Sequence, residues 1–275
     1  MSIAEATDGS TFESATVTTR RRVSADVLVC GPADGAPIVY LHGFAGHLGG
    51  EPMLGLLAAG GFRVHAPLWP GYSDHPGEAQ IEDMLDFALH GADVIEALGL
   101  GQVHLIGHSM GGMIAAEMAA IAPHSYTTLT LIDPLGLWLD DHPIIDIYTL
   151  LPFEFPPLLF HDADAGTALM TGGGVDFGDP AAIQRFLIGN SRRLGTAGKI
   201  LFPIPNRRLS KRLYRVSIPT LLVWGDDDRL VTPPYVDAWA AAVAHARTVT
   251  IAAAGHMAPY EQPAAVANAI SAALG

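Results

Sequence analysis

The segment Val103-His104-Leu105-Ile106-Gly107-His108-Ser109-Met110-Gly111-Gly112 constrains this chain more than any other. A β-favouring run enters Gly-x-Ser-x-Gly, and the small-residue stretch Met113-Ile114-Ala115-Ala116-Glu117 behind it reads as a helix. A strand that reverses into a helix so sharply puts its central residue, Ser109, in strained dihedrals. Gly107 and Gly111 remove the side chains that would clash there. The N-terminus of the helix lends its positive end to negative charge developing beside Ser109.

The same rhythm of a short strand followed by a helical pattern recurs along the chain, which is the signature of a parallel α/β sheet. Short strands are predicted over residues 36–40, 63–66, 103–106, 129–132, 220–224 and 249–251. Helical patterns cover about 81–98 and Pro263–Leu274, the latter with Pro in its first turn. Between Asp133 and Ile218 the rhythm breaks into Pro143, Pro152, Pro156 and Pro157, the run Gly172-Gly173-Gly174, and bulky apolar residues such as Leu150, Phe153, Phe155 and Phe160. The expected fold is therefore α/β: a mostly parallel central sheet flanked by helices, with an inserted, mainly helical lid. Residues 1–133 and 219–275 form the core and 134–218 the lid, which roofs the strand ends where open α/β sheets bind ligands. A length of 275 residues accommodates one large domain with such an insertion.

Composition narrows the partners. Hydrophobic residues make up 49% and charged residues 16%, which excludes a disordered chain. No uninterrupted run of ~18 apolar residues is present, so no membrane span is expected. Fifteen Lys and Arg face 28 Asp and Glu, and the net charge of -13 argues against nucleic acid and anionic membranes as partners. The single cysteine, Cys30, excludes an internal disulfide and a cysteine-based metal cluster, and its alternating segment reads as a buried thiol. The polar stretch Met1 to Arg22 carries no secretory signal pattern, so a cytoplasmic protein is expected, as a monomer or homodimer. Eight of the basic residues, Arg192 to Arg215, fall in one window, which reads as a solvated helix face or as a site for an acidic substrate group.

A serine hydroxyl is too weak a nucleophile at neutral pH without a base. Of twelve histidines, His256 stands in the right place, in Ala254-Gly255-His256-Met257 between the last strand and the last helix. The base needs a carboxylate to fix its tautomer, and two places offer one: Asp226-Asp227-Asp228 after the fifth strand, and Asp133 at the end of the fourth.

With these residues in hand the chain resembles the α/β-hydrolase fold family, specifically its lidded small-molecule serine hydrolases of esterase or lactonase type. Four motifs carry the resemblance in order: His42-Gly43-Phe44, the Ser109 turn, Gly225-x-x-Asp228-Arg229, and Gly255-His256 with Glu261-Gln262-Pro263 behind it. The resemblance implies Ser109 as nucleophile, His256 as base and Asp228 as acid, with Asp133 as the alternative acid. It also implies an oxyanion hole from the backbone N–H groups of Phe44 and Met110. Gly43 and Trp138 are the expected substrate-binding positions. No cofactor and no metal are implied, and the expected partner is a small ester or lactone. The chain departs from family patterns at Pro67-Leu68-Trp69-Pro70-Gly71-Tyr72-Ser73, where many members carry an Asp-led glycine motif. Members that cleave carbon–carbon bonds usually have Gly-Pro-Gly in the oxyanion loop and Trp after the histidine, where this chain has Ala45-Gly46 and Met257. Carbon–carbon hydrolysis, cofactor-free perhydrolysis and a ligand receptor with little turnover stand as alternatives.

Overall fold

A computed structural model describes residues 12–171 and 178–275. The glycine run 172–174 singled out in the sequence lies outside the described residues, as do residues 1–11. Six strands run parallel: β3 (Ala36–Leu41), β4 (Phe62–Pro67), β5 (Val103–His108), β6 (Tyr126–Ile132), β7 (Thr220–Gly225) and β8 (Arg247–Ile251). Strands β1 (Glu13–Thr18) and β2 (Ser24–Cys30) add an antiparallel edge, giving the order β1-β2-β4-β3-β5-β6-β7-β8. The inner strands are continuous apolar runs because helices cover both faces, and β7 is buried along its whole length.

Alternate residues of the sheet feed two cores. Ile38, Tyr40, Ile106, Ile132 and Val223 face α1 (Pro52–Ala59) and the closing helix α9 (Pro263–Leu274). Val39, Leu41, Leu105, Leu131 and Leu222 face the opposite way, into the core shared by α2 (Met84–Ala97), α3 (Met110–Ile121) and α7 (Pro234–Ala242). The small residues of α3 let it sit against the sheet. A Cβ on Gly111 would lie 2.0 Å from the Leu41 carbonyl oxygen, so only glycine fits there.

Between β6 and β7 the described residues hold α4 (Phe155–Leu159), α5 (Ala163–Met170) and α6 (Pro180–Leu201) with short 3-10 turns, and no strand. Four of the clustered basic residues do not form the solvated face expected from the sequence. Arg192 Nε donates to Glu78 at 2.7 Å, and the Arg212 guanidinium clasps both oxygens of Glu117 at 2.6 and 2.9 Å. Arg215 donates to the Ala120 carbonyl at 2.8 Å, and Lys199 donates to the Ile81 carbonyl at 2.5 Å. Each of these cations ties the inserted segment to the sheet-bearing part of the chain.

Candidate active site

Side chains with chemistry gather at the carboxyl ends of the parallel strands, where an open α/β sheet presents its loops. Ser109 follows β5 at φ 56° and ψ −118°, a conformation that non-glycine residues rarely adopt. Its backbone is fixed on both sides. The Ser109 N–H donates to the Ile132 carbonyl at 2.9 Å, and its carbonyl accepts from Met113 at 3.1 Å and Leu135 at 3.1 Å. Three elements therefore hold the strain.

Ser109 Oγ lies 2.7 Å from His256 Nε2, and His256 Nδ1 lies 2.8 Å from Asp228 Oδ2. The other oxygen of Asp228 accepts the N–H groups of Leu230 and Val231, both at 2.8 Å. With Nδ1–H directed at Asp228, Nε2 is left with a lone pair for the serine proton. All three residues are buried, His256 completely. The loops after β5, β7 and β8 thus bring together the three residues singled out in the sequence. The neighbouring acids go elsewhere: Asp227 bonds His161 at 2.9 Å, and Asp226 accepts weakly from Ala254 N–H at 3.4 Å.

Asp133 follows β6 and does not touch His256 in this arrangement. Its Oδ1 accepts the Gly225 N–H at 2.9 Å, and its carboxyl stands against that of Asp228. Burial and the Asp228 charge push Asp133 well above the usual carboxylate range, the Gly225 hydrogen bond opposing them.

The loop after β3 approaches closely. A Cβ on Gly43 would stand 3.0 Å from Ser109 Cβ, so the bare backbone of residue 43 forms one wall of the site. Phe44 and Met110 are both buried, their side chains in the main core, and the Phe44 ring packs on Phe155 of α4 at 5.8 Å. Trp138 is half-buried, and its indole N–H donates to Asp140 at 3.1 Å rather than to a group in the triad.

Two histidines from the sequence motifs, His42 and His108, take part in the scaffold. His108 Nε2 meets the His256 carbonyl oxygen at 2.7 Å, and burial and the neighbouring His256 hold its pKa down to about 3. It is a neutral imidazole donating to the backbone of His256. His42 Nε2 accepts the Trp69 N–H at 3.2 Å while its Nδ1 meets the Gly43 carbonyl at 2.7 Å, which fixes the proton on Nδ1. Its neutrality follows from burial, reinforced by His47. The Tyr72 hydroxyl donates to the Phe44 carbonyl at 2.9 Å. Trp69 and Tyr72 therefore brace this loop in a chain that lacks the Asp-led motif. Their places in the His42-Gly43-Phe44 and Gly107-His108-Ser109 motifs were legible in the sequence, but their backbone partners were not.

Beside the site, between α6 and the loop after β4, runs a groove of about 650 Å³ lined in part by Tyr72, Ser73, Phe186 and Arg193. Phe155, Leu159 and Phe160 of the inserted segment lie over the loops of Phe44 and His256; Met257 N–H donates to the Leu159 carbonyl at 3.1 Å. Among the described residues, no group of three or more His, Cys, Asp or Glu side chains converges to hold a metal ion, and no helix is long and apolar enough to cross a membrane.

The chain and its fold are similar to those of known proteins. The sequence profile of the alpha/beta hydrolase family matches residues 38–269. Lipase 1 of Psychrobacter immobilis is 24% identical over 258 residues, covering 82% of this chain and 73% of the lipase. The 2-hydroxy-6-oxo-6-phenylhexa-2,4-dienoate hydrolase of Burkholderia cepacia is 27% identical over 217 residues, 72% of this chain and 73% of that protein. The crystal structure of a membrane phospholipase A described as a bacterial virulence factor superposes with a TM-score of 0.76 at 21% identity, over 96% of this chain and 86% of that one.

Proposed function

Because the chain belongs to the alpha/beta hydrolase family, we propose that it is a serine hydrolase cleaving a carboxylic ester or lactone with an apolar body. The observation that carries this reading is the continuous relay from Ser109 Oγ through His256 to Asp228, at 2.7 and 2.8 Å. Ser109 Oγ attacks the acyl carbon as His256 Nε2 takes its proton, and Asp228 stabilises the resulting imidazolium. The N–H groups of Phe44 and Met110 hold the oxyanion that exists only in the tetrahedral state, each such donor being worth ~3–4 kcal/mol. Collapse breaks the bond to the alkoxy oxygen, which leaves with the proton from His256. Water, deprotonated by the same imidazole, then attacks the acyl-enzyme and frees the acid and Ser109.

Residues 134–218 act as the lid in this reading. Phe155 and Phe160 supply an apolar ceiling, and the groove beside Tyr72 is the approach for the substrate. A second reading, hydrolysis of a carbon–carbon bond, draws on the similarity to the dienoate hydrolase. Met257 after His256 and Ala45-Gly46 in the oxyanion loop favour the ester.

A panel of nitrophenyl esters of increasing acyl length, measured for the wild type and Ser109→Ala, tests the proposal. Turnover is expected in the wild type with a loss on the order of 10⁴–10⁶ in kcat for Ser109→Ala, and about 10⁴ for Asp228→Asn. Undiminished turnover in Ser109→Ala overturns the mechanism. Hydrolysis of a vinylogous 1,5-diketone without ester turnover favours the second reading.

A further inference from the structure

Asp228 accepts from two backbone N–H groups on one oxygen and faces His256 on the other, all at 2.8 Å. Three donors thus converge on one buried carboxyl. Asp133 stands against it, completely buried, with one donor. The Gly225 N–H occupies Oδ1, whereas Oδ2 has no donor facing it. Two ionised carboxylates cannot share such a site, so one keeps a proton, and it stays on the carboxyl with fewer donors. Oδ1 is already an acceptor, which leaves Oδ2 to carry the hydrogen.

Resting on the triad reading above, we propose that Asp133 is a positioning residue: a neutral carboxylic acid whose Oδ2–H donates to the Asp228 carboxylate while its Oδ1 holds the Gly225 N–H. It fixes the end of β7 and the acid that follows as one unit, and so sets the angle at which Asp228 meets His256. Asp133 is not a second copy of the acid; it is the donor that Asp228 needs on its remaining flank. The other charged group that acts on Asp133 is Glu261, whose negative charge favours the neutral form as well. The backbone agrees with this role. Asp133 sits at φ 45°, pinned by its N–H to the Val223 carbonyl at 3.0 Å.

The neutral-donor assignment makes a sharp distinction between two substitutions. Asn keeps an acceptor for Gly225, supplies an N–H₂ donor for Asp228 and tolerates positive φ. Leu keeps the bulk and removes both functions. Asp133→Leu is expected to lower kcat roughly 10- to 100-fold, the size of loss seen when the hydrogen-bonded support of a working group is removed. Its kcat/KM acid limb, where His256 takes up a proton, moves to higher pH because Asp228 has lost a donor. Asp133→Asn rescues both kcat and the profile. A readout without turnover accompanies these: the infrared spectrum of the wild type at pH 7 contains a protonated-carboxyl band that is missing from Asp133→Asn. The proposal is overturned if Asn is as damaging as Leu, if Leu leaves kcat and profile unchanged, or if the two spectra do not differ in that band. Should Asp133→Leu fail to fold, the Asn kinetics and the infrared band decide alone. Retained activity in Ser109→Ala defeats the triad reading instead, and the infrared comparison still judges Asp133.

Discussion

At Ser109 the chain accepts a strained backbone in exchange for a hydroxyl held on a rigid strand end, and the cost is carried by the hydrogen bonds to Ile132, Met113 and Leu135. His42 and His108 beside it are held neutral by burial. His90 shows the same effect without a function to justify it. It faces Trp69 from α2, neither ring nitrogen has a hydrogen-bond partner, and burial lowers its pKa from 6.5 to about 4. An imidazole with a depressed folded pKa is protonated first in the unfolded chain, so stability is intact above about pH 6.5 and is lost as the pH falls toward 4. His90→Leu removes both the orphaned nitrogens and this titration. Thermal melts across that range are expected to show a higher Tm at neutral pH, by the equivalent of about 1 kcal/mol, and a shallower fall toward acid. An unchanged slope between pH 6.5 and 4 would show that His90 is not the group responsible.

Elements differ in how much of themselves they wrote into the sequence. Inner strands such as β3 and β7 were legible because burial on both faces demands apolar runs, and α9 was legible from its Pro and alanines. Strand β1 was not. Its sequence ESATVT lies half in water at the sheet edge, paired through contacts such as Thr16 with Asp26 at 2.7 Å, and an edge strand needs no apolar run. The triad residues were readable from their places after strands, while the pairing of Asp133 with Asp228 was not, since it depends on β6 and β7 being neighbours. Glu261 likewise stood only as part of a motif. In the structure its carboxylate accepts the His161 and Asp162 N–H groups at 2.7 and 3.1 Å on one oxygen and Gly255 N–H at 2.7 Å on the other. One side chain of α8 (Ala258–Glu261) thereby joins the inserted segment to the His256 loop. Glu261→Ala leaves three backbone donors unpaired and is expected to destabilise by about 2 kcal/mol, with kcat falling as His256 loses its support. Glu261→Gln retains one acceptor oxygen and should fall between. A denaturant series ordering the three otherwise would remove this role from Glu261.

At the scale of the molecule the question is whether the insertion is a separate body resting on the sheet or part of one cooperative core. The apolar contacts favour a single core: Leu105 and Leu129 of the sheet and Leu159, Ile200 and Leu213 of the insertion belong to one buried cluster. The ion pairs Arg192–Glu78 and Arg212–Glu117 cross the same boundary, the latter with Glu117 nearly buried. Removing residues 134–218 would expose the α3 face that Leu209 and Leu213 cover, a large apolar surface that a stable monomer does not present to water. Unfolding is therefore expected as one calorimetric transition, with the calorimetric and van't Hoff enthalpies in agreement. The chain shortened by that segment should not fold, rather than yield an open, faster enzyme. Two resolved transitions, or a soluble shortened chain with native circular dichroism, would make the insertion an independent lid. In the one-core case opening over Ser109 is confined to movements around α4, because α6 and the turns after it are fixed to the sheet by Arg192, Lys199, Arg212 and Arg215.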